Sequence, residues 1–261
     1  MGNRVPGVDG LNRAGRPAIA DGIGRRPLDV LVSPETDPEV NLALEETLFQ
    51  EVEAGLRLET LRLWVNDECL VRARRQSSRC GWHDERRVRE LEVRVCIRST
   101  GGGSVYHDRG NLNWSFYLRR EESFVAPVHV FRACSETIIQ ALRPLGIDAT
   151  FAPPNRIEVT GRKISGMAAR ATLHALLVHG TLLVSTDLHR LNAICIPPPD
   201  TPPVGRLCDV NPKLSVDDVI RSIVALAAEA TNGPKPSVGL ASPELAADTL
   251  LSTVRQGGGP R

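Results

Sequence analysis

The chain has 261 residues, 41% of them apolar, and a formal net charge of +1, which predicts an enzyme-sized protein with enough apolar side chains for a core. This charge gives no reason to expect a nucleic-acid partner. No run of about 18 apolar residues and no secretory signal occurs, so we expect no membrane span, no export and a cytoplasmic location.

The cysteine and lysine residues indicate which kinds of site and which cellular compartment to expect. The six cysteines lack C-x-x-C spacing, which argues against a zinc knuckle or a redox pair and predicts thiols in a reducing compartment. Only three of the 32 basic residues are lysines, namely Lys163, Lys213 and Lys235. Because the chain prefers arginine so strongly, a retained lysine suggests a site that needs a compact ammonium. For Lys213 and Lys235, in proline-flanked loops, a surface position is the preferred interpretation.

The patterning predicts one folded domain between two irregular ends. Residues 1–27 are rich in Gly, Pro and Arg without a hydrophobic period, which predicts a mobile leader. Periodic segments fill residues 28–231. Residues 232–261 read as a Gly/Pro/Ser tail with room for one short helix.

Capping residues mark the longer helices. The first is predicted to follow Asp37 as N-cap, with Pro38 at the first helical position, and to end at Gly55. A second is predicted over 128–145, and a third follows Ser215 to about residue 230. The polar stretch 74–90 is expected to be a loop leading into a surface helix.

Alternation and turn residues mark the strands. The most regular covers 91–98, where apolar and polar residues alternate as in a half-buried strand. Asn66-Asp67 is typical of a hairpin turn and predicts that strands 61–65 and 69–73 pair with each other. Further strands are predicted over 28–32, 113–118, 157–160, 163–169 and 175–184. Strands in runs with few helices predict an α+β fold, with mixed or antiparallel sheets flanked by helices.

A glycine-rich segment follows the strand 91–98. Gly101, Gly102 and Gly103 let the backbone approach a ligand, so that successive N–H groups can point at a phosphate or carboxylate. Arg98, beside them, could clamp an anion. The segment matches neither a Walker loop nor G-x-G-x-x-G, and a flexible hinge is the alternative interpretation.

Two further segments are candidates for the site. The turn before Lys163 delivers this lysine to the start of a strand, where it could bind a carboxylate and stabilise negative charge on a phosphate. A surface lysine in a hairpin is the alternative. His179 lies in an apolar strand, where a hydrogen-bonded core histidine is the commoner case. No G-x-S-x-G elbow and no helical histidine pair supports a hydrolase or a metal site.

Together, these segments resemble the catalytic domain of the lipoate-protein ligase A family, which shares its fold with the biotin-protein ligases. The resemblance runs from about residue 28 to 230 and rests on an ordered set of segments. These are 41–46, 63–66, 74–76, 98–113, 155, 161–168 and 179–183.

The resemblance implies a ligase that makes lipoyl-AMP from lipoate and ATP and passes the lipoyl group to a lysine of a lipoyl-domain acceptor protein. Lys163 would be the catalytic residue, bridging the carboxylate and the α-phosphate. Asn155 would help to hold phosphate or Mg²⁺. By position, substrate or ATP contacts would come from Arg98, Gly101, Gly102, Gly103, Ser104, Val105, Tyr106, His107, Asn155, Lys163, Ser165, Gly166, Ala168, His179, Gly180 and Thr181.

The sequence departs from the family pattern at several places. Arg156 stands where an acidic residue is usual, Met167 replaces a small residue, and Ala73 replaces a glycine. The segment 197–211 looks shortened and lacks the lysines common there. The resemblance leads us to expect that the C-terminal accessory domain of many bacterial members is absent and that a separate accessory subunit serves the adenylation step.

Two alternatives remain open at this stage. An octanoyl or lipoyl transferase would take its acyl group from a carrier thioester through a cysteine. In transferases with this lysine segment the cysteine lies upstream, whereas no cysteine lies between Cys134 and Lys163. A non-catalytic lipoyl-binding homologue would bind its ligand without releasing pyrophosphate.

Overall fold

The computed structural model describes residues 28–74, 83–120, 126–199 and 201–231. The predictions for the leader 1–27, for the tail and for Gln76 lie outside these ranges. The helices are α1 (Pro38–Glu53), α2 (Glu85–Glu90), α3 (Pro127–Leu142), α4 (Leu188–Ile194) and α5 (Val216–Thr231). The strands are β1 (Leu28–Val32), β2 (Glu59–Val65), β3 (Cys69–Ala73), β4 (Arg94–Arg98), β5 (Val105–His107), β6 (Asn111–Arg119), β7 (Ala149–Ala152), β8 (Arg156–Val159), β9 (Arg162–Ala171) and β10 (Ala175–Leu183).

Two mixed sheets organise the molecule. The larger has the strand order β1-β2-β6-β10-β9-β8-β7, in which β1 and β2 run parallel and the other neighbours run antiparallel. The smaller has the order β4-β3-β5, with a parallel and an antiparallel pair. The predicted α+β class, with helices flanking mixed sheets, is therefore confirmed.

Helices cover both faces of the larger sheet. On one face α3 and α5 pack on a core that includes Trp114 and Phe116 of β6. On the other face α1 packs through Leu48 and Phe49 against Tyr117. Each fully buried large apolar side chain stabilises the fold by about 1.5–3 kcal/mol, so the sheet that carries β6, β9 and β10 is a rigid platform. Within the described residues, no helix is long and apolar enough to cross a membrane.

The predicted helix ends are confirmed where their caps are visible. The Asp37 side chain accepts hydrogen bonds from the backbone N–H groups of Glu39 and Val40, at 2.9 and 3.1 Å. Gly55, with φ of 76°, follows the last turn of α1. A side-chain N-cap contributes about 1 kcal/mol to helix stability, so the sequence itself fixes where α1 begins.

The predicted hairpin between β2 and β3 is wrong. The two strands belong to different sheets, and Asn66 lies at the crossing point between them. Its Oδ1 accepts from Asn41 Nδ2 at 2.9 Å, and its Nδ2 lies 3.0 Å from His107 Nδ1. The asparagine that resembled a turn residue is a buried link between α1, β2 and β5.

The apolar face predicted for 91–98 is also wrong. The strand is shorter than predicted, because Glu92 takes a positive φ of 53° in the turn before it. Val95 and Ile97 are 40% and 48% exposed, whereas Cys96 and Arg98 are only 3% and 6% exposed. Burial of Arg98 is tolerated because backbone carbonyls accept its hydrogen bonds, which a hydrophobic pattern does not encode.

Candidate functional site

A cavity of about 540 Å³ opens between the two sheets. Its walls come from the glycine segment, from β5, and from the central strands β6, β9 and β10. Helix α4 and the proline-dense stretches 195–198 and 201–204 complete it. The size suits an organic ligand rather than a single ion.

Arg98 organises the glycine segment from within. Its guanidinium donates to the carbonyls of Gly101 and Gly103, at 3.0 and 2.6 Å, and to that of Val71 at 3.1 Å. Burial lowers the pKa of Arg98 to about 10, so it stays charged at neutral pH. Gly102, with φ of 106°, makes the turn that side chains disfavour. Arg98 lines the cavity, but its Nη1 and Nη2 groups already donate hydrogen bonds to backbone carbonyls of the protein.

A hydrogen-bond chain ties this loop to the platform. Arg98 Nε donates to Thr100 Oγ1 at 3.0 Å, and Thr100 Oγ1 lies 2.7 Å from His179 Nε2. His179 Nδ1 lies 2.9 Å from Glu45 Oε1. Burial of Glu45 opposes its ionisation, but His179, the Ser115 hydroxyl and the charge of Arg62 together hold the pKa of the carboxyl below its usual value. An ionised Glu45 accepts a hydrogen bond from the Nδ1–H group of His179, so Nε2 of His179 is the nitrogen that contacts Thr100 of the loop.

His107 lies deeper in the same cavity and is 4% exposed. Asn66 Oδ1 is occupied by Asn41, so Nδ2 of Asn66 donates to His107 Nδ1 and the imidazole proton belongs on Nε2. This Nε2 has no hydrogen-bond partner among the residues described. Burial, with the charges of Arg98 and His179, lowers the pKa of His107 to about 3.

The His107 shift predicts a pH-dependent stability. An unfolded histidine takes up a proton below about pH 6.5, whereas folded His107 does so only near pH 3. Stability is therefore lost as the pH falls below 6.5, by about 2 kcal/mol at pH 5. Urea unfolding at pH 7.5 and pH 5 measures this difference. We expect His107→Gln to remove it and His129→Gln, at an exposed position, to keep it; an unchanged difference in His107→Gln would contradict the assignment.

Lys163 enters the cavity from the start of β9. A Cβ on Gly166 would lie 3.0 Å from both Cε and Nζ of Lys163, so this glycine leaves room for the lysine side chain. The backbone N–H of Lys163 donates to Pro203 O at 2.9 Å, which fixes the strand against the proline-dense stretch 201–204. Burial and the charge of Arg156 lower the pKa of Lys163, and Cys195 opposes the shift. No side chain that the structure describes forms an ion pair with its ammonium.

The charges around the cavity have one sign. Arg98, Arg156, Arg162 and Lys163 line it, and no Asp or Glu does so among the described residues. Glu158 pairs with Arg156 from outside the lining, and Lys163 has no ion-pair partner among the described residues, so the described charge that faces the cavity is positive. The cavity is therefore built for a negatively charged ligand.

The same lining is a poor fit for a protein-held Mg²⁺. Mg²⁺ in proteins is bound mainly through carboxylates and phosphate oxygens. Asn155, the predicted ligand, donates its Nδ2 to Met167 O at 2.6 Å, which leaves its Oδ1 as a single neutral acceptor. Within the ranges described, no group of three His, Cys, Asp or Glu side chains could hold a metal.

Most of the predicted site residues come together around this cavity. Ser165 is the exception, since it is buried within β9 and does not line the cavity. The others line it, namely Arg98, Gly101, Gly102, Gly103, Ser104, Val105, Tyr106, His107, Asn155, Lys163, Gly166, Ala168, His179, Gly180 and Thr181.

The sequence interpretation missed one wall of the cavity. Helix α4, with Leu191 and Asn192, leads directly into Cys195, and all three residues line the cavity. A signal for α4 was present, since Asp187 caps it by accepting from the N–H groups of His189 and Arg190. The role of Cys195 had no local signal, because only the fold brings it near Lys163.

Comparison with known proteins agrees with this geometry. The lipoate-protein ligase LplJ of Bacillus subtilis is 36% identical over 160 residues, which are 60% of this chain and 46% of that protein. The chain spans about half the length of the curated relatives it matches.

Two solved structures share the fold. A lipoate-protein ligase A bound with ATP gives a TM-score of 0.73 at 24% identity, over 88% of this chain and 94% of that one. A bi-partite lipoate protein ligase from Thermoplasma acidophilum, described with its E2 lipoyl domain, gives 0.71 at 24% identity, over 84% and 90%. These likenesses confirm the fold that the sequence resemblance implied.

A family model described as the lipoyl protein ligase A/B catalytic domain matches residues 37–227, which is well over half of the chain. The match spans every element from α1 to most of α5 and includes all the cavity walls. The protein belongs to the lipoyl protein ligase A/B catalytic-domain family.

Proposed function

We propose that the chain is an ATP-dependent lipoate-protein ligase. It would form lipoyl-AMP from lipoate and ATP and then transfer the lipoyl group to a lysine of a lipoyl-domain acceptor. The observation that carries this proposal is that all the charged residues described in the cavity lining are cationic, and that Lys163 and the glycine segment both belong to this lining. Both substrates are anions, and both would need the same positive site.

In the first step a carboxylate oxygen of lipoate attacks the α-phosphorus of ATP, and pyrophosphate leaves. The ammonium of Lys163 would draw the two anions together and stabilise the negative charge that gathers on the α-phosphate oxygens. The N–H groups of the glycine segment would bind phosphate oxygens, and the chain from Arg98 through Thr100 and His179 would keep that loop in place. Mg²⁺ would supply charge neutralisation of the departing pyrophosphate if it enters with the nucleotide.

In the second step the amine of an acceptor lysine attacks the acyl carbon of lipoyl-AMP, which releases AMP. The cavity opens to the surface between the sheets, where an acceptor side chain could enter. A lipoyl domain as acceptor is supported by the Thermoplasma structure, which is described with such a domain. The description of that ligase as bi-partite supports testing a separate accessory subunit as well.

Pyrophosphate release tests the ligase directly. The purified chain is incubated with ATP and Mg²⁺, with and without lipoate and with and without a candidate accessory subunit. We expect release that depends on lipoate. Lipoate binding without release under every condition would instead support a non-catalytic lipoyl-binding protein.

One observation favours a second function, acyl transfer from a carrier thioester. Cys195 lines the same cavity as Lys163. Burial raises the pKa of its thiol to about 11, while a hydrogen bond with the Tyr106 backbone and the charge of Lys163 act to lower it. Because a pKa of about 11 keeps this thiol protonated at neutral pH, transfer would first require its deprotonation; the thiolate would then attack the acyl carbon and release the carrier thiol, and the acyl group would pass on to the acceptor.

Cys195→Ser separates the two functions. If the chain is a ligase, the variant should keep lipoate-dependent pyrophosphate release within about threefold of the wild type, because an isosteric hydroxyl preserves the packing. If it is a transferase, the variant should lose acyl transfer from an octanoyl-carrier thioester. Measuring both reactions on both proteins decides between the functions, with Cys208→Ser as a control outside the cavity.

A further inference from the structure

Arg156 is the first residue of β8 and lines the cavity beside the predicted phosphate site. Its Nε donates to Glu158 Oε1 at 2.5 Å, which anchors the side chain at one edge. Its terminal Nη1 and Nη2 form no hydrogen bond with any residue in the described ranges. A guanidinium held at one edge presents its other donors to the cavity in a fixed direction.

Arg156 and Lys163 form a pair of cations on the same wall. Arg156 lies opposite Gly166 in the pairing of β8 with β9, and the same Gly166 leaves room for Lys163. The positive charge of Arg156 contributes to lowering the pKa of Lys163. Glu158, which anchors Arg156, is not part of the cavity lining. Glu158 partly balances the charge of Arg156, but the remaining guanidinium donors of Arg156 and the ammonium of Lys163 together favour a ligand with more than one negative charge.

The metal that the family resemblance implies has no carboxylate ligand here among the described residues. The sequence resemblance leads us to expect an acidic residue at this position, and Arg156 places a positive charge there instead. We infer that Arg156, together with Lys163, binds the pyrophosphate part of the nucleotide directly and replaces a protein-held metal ion in neutralising its charge. This inference rests on the proposed function, since it takes the anionic ligand to be ATP.

Binding of pyrophosphate alone tests the inference without turnover. Isothermal titration is done in EDTA with the wild type, Arg156→Gln, Arg156→Lys and Arg221→Gln. We expect the wild type to bind without metal and Arg156→Gln to bind about 10- to 100-fold more weakly, as for loss of a hydrogen bond to a charged group. Arg156→Lys keeps the charge but not the fork, so its loss should be smaller.

The controls keep the result interpretable. Arg221 is an exposed residue of α5, and Arg221→Gln should bind pyrophosphate as the wild type does. Thermal unfolding of each variant shows whether it is folded. If Arg156→Gln does not fold, the pyrophosphate affinity of Arg156→Lys provides the test. Equal affinity in a folded Arg156→Gln, or pyrophosphate binding by the wild type only when Mg²⁺ is added, would overturn the inference.

Failure of the proposed function gives a different result. Lipoate-dependent pyrophosphate release is measured on the same wild-type protein. One result would be no pyrophosphate release, together with pyrophosphate binding in EDTA that Arg156→Gln weakens. This result would support the phosphate site and contradict the proposed ligase reaction. If release occurs and Arg156→Gln binds pyrophosphate with the wild-type affinity, the ligase reaction is supported and the role of Arg156 is contradicted.

Discussion

Lys163→Ala should lower lipoate-dependent pyrophosphate release by at least about 100-fold, because removal of one preorganised charge that stabilises a transition state typically costs 10²- to 10³-fold in rate. The ammonium is half-buried and unpaired among the described side chains, and its place is set by Gly166 and by the backbone bond to Pro203. Because no described side chain neutralises the ammonium, its charge is available to the reacting groups. The measurement is the initial rate of pyrophosphate release at saturating ATP.

Two further lysine variants sharpen that test. Lys163→Arg should not restore the rate, because a planar guanidinium is larger than the ammonium that fits over Gly166. Lys213→Ala removes an exposed lysine that does not line the cavity, so this variant should keep the wild-type rate. A Lys163→Ala enzyme with more than a tenth of the wild-type rate would show that Lys163 is not at the centre of the reaction.

Signals that act over a few residues predicted the local structure well. Asp37 and Gly55 fixed the ends of α1, and Ser215 with Asp218 forms the predicted cap of α5, where Ser215 N donates to Asp218 Oδ2 at 2.9 Å. Each depends on a hydrogen bond or a backbone conformation within one helical turn. Such features survive in almost any tertiary context.

Features decided by tertiary contacts were not predictable in this way. Asn66 has the composition of a turn residue, but its side chain links two sheets. Arg98 is buried against expectation, because the carbonyl oxygens of the loop accept hydrogen bonds from its guanidinium. The cationic lining among the described residues likewise emerges only in the fold, which brings Arg98 of β4 to the cavity that Arg156, Arg162 and Lys163 line from β8 and β9.

Gly180 shows that one residue can satisfy two requirements. It was predicted as a substrate contact, and its backbone does line the cavity. On β10 it also pairs with Trp114 of β6, and a Cβ at this position would lie 2.4 Å from Cζ2 and 2.6 Å from Cε2 of the Trp114 ring. Trp114 is fully buried, so the ring has no room to withdraw. A requirement of the core is therefore sufficient to explain the glycine.

Gly180→Ala should destabilise the protein by about 1–3 kcal/mol, the usual cost of adding a methyl group to a packed core. Urea unfolding measures the change. Gly101→Ala is the matched control, because a Cβ on Gly101 meets nothing within 4 Å, and its free energy of unfolding should stay close to that of the wild type.

A double-mutant cycle identifies the cause of the Gly180 effect. Trp114→Leu alone leaves a cavity in the core and is itself destabilising. If the alanine methyl collides with the indole ring, Gly180→Ala should cost much less in the Trp114→Leu background than in the wild type, with a coupling energy of about 1 kcal/mol or more. Strictly additive effects would mean that the alanine methyl does not collide with the indole ring, and any destabilisation would then come from another neighbour such as Met167, whose Cγ would lie 3.1 Å from the Cβ.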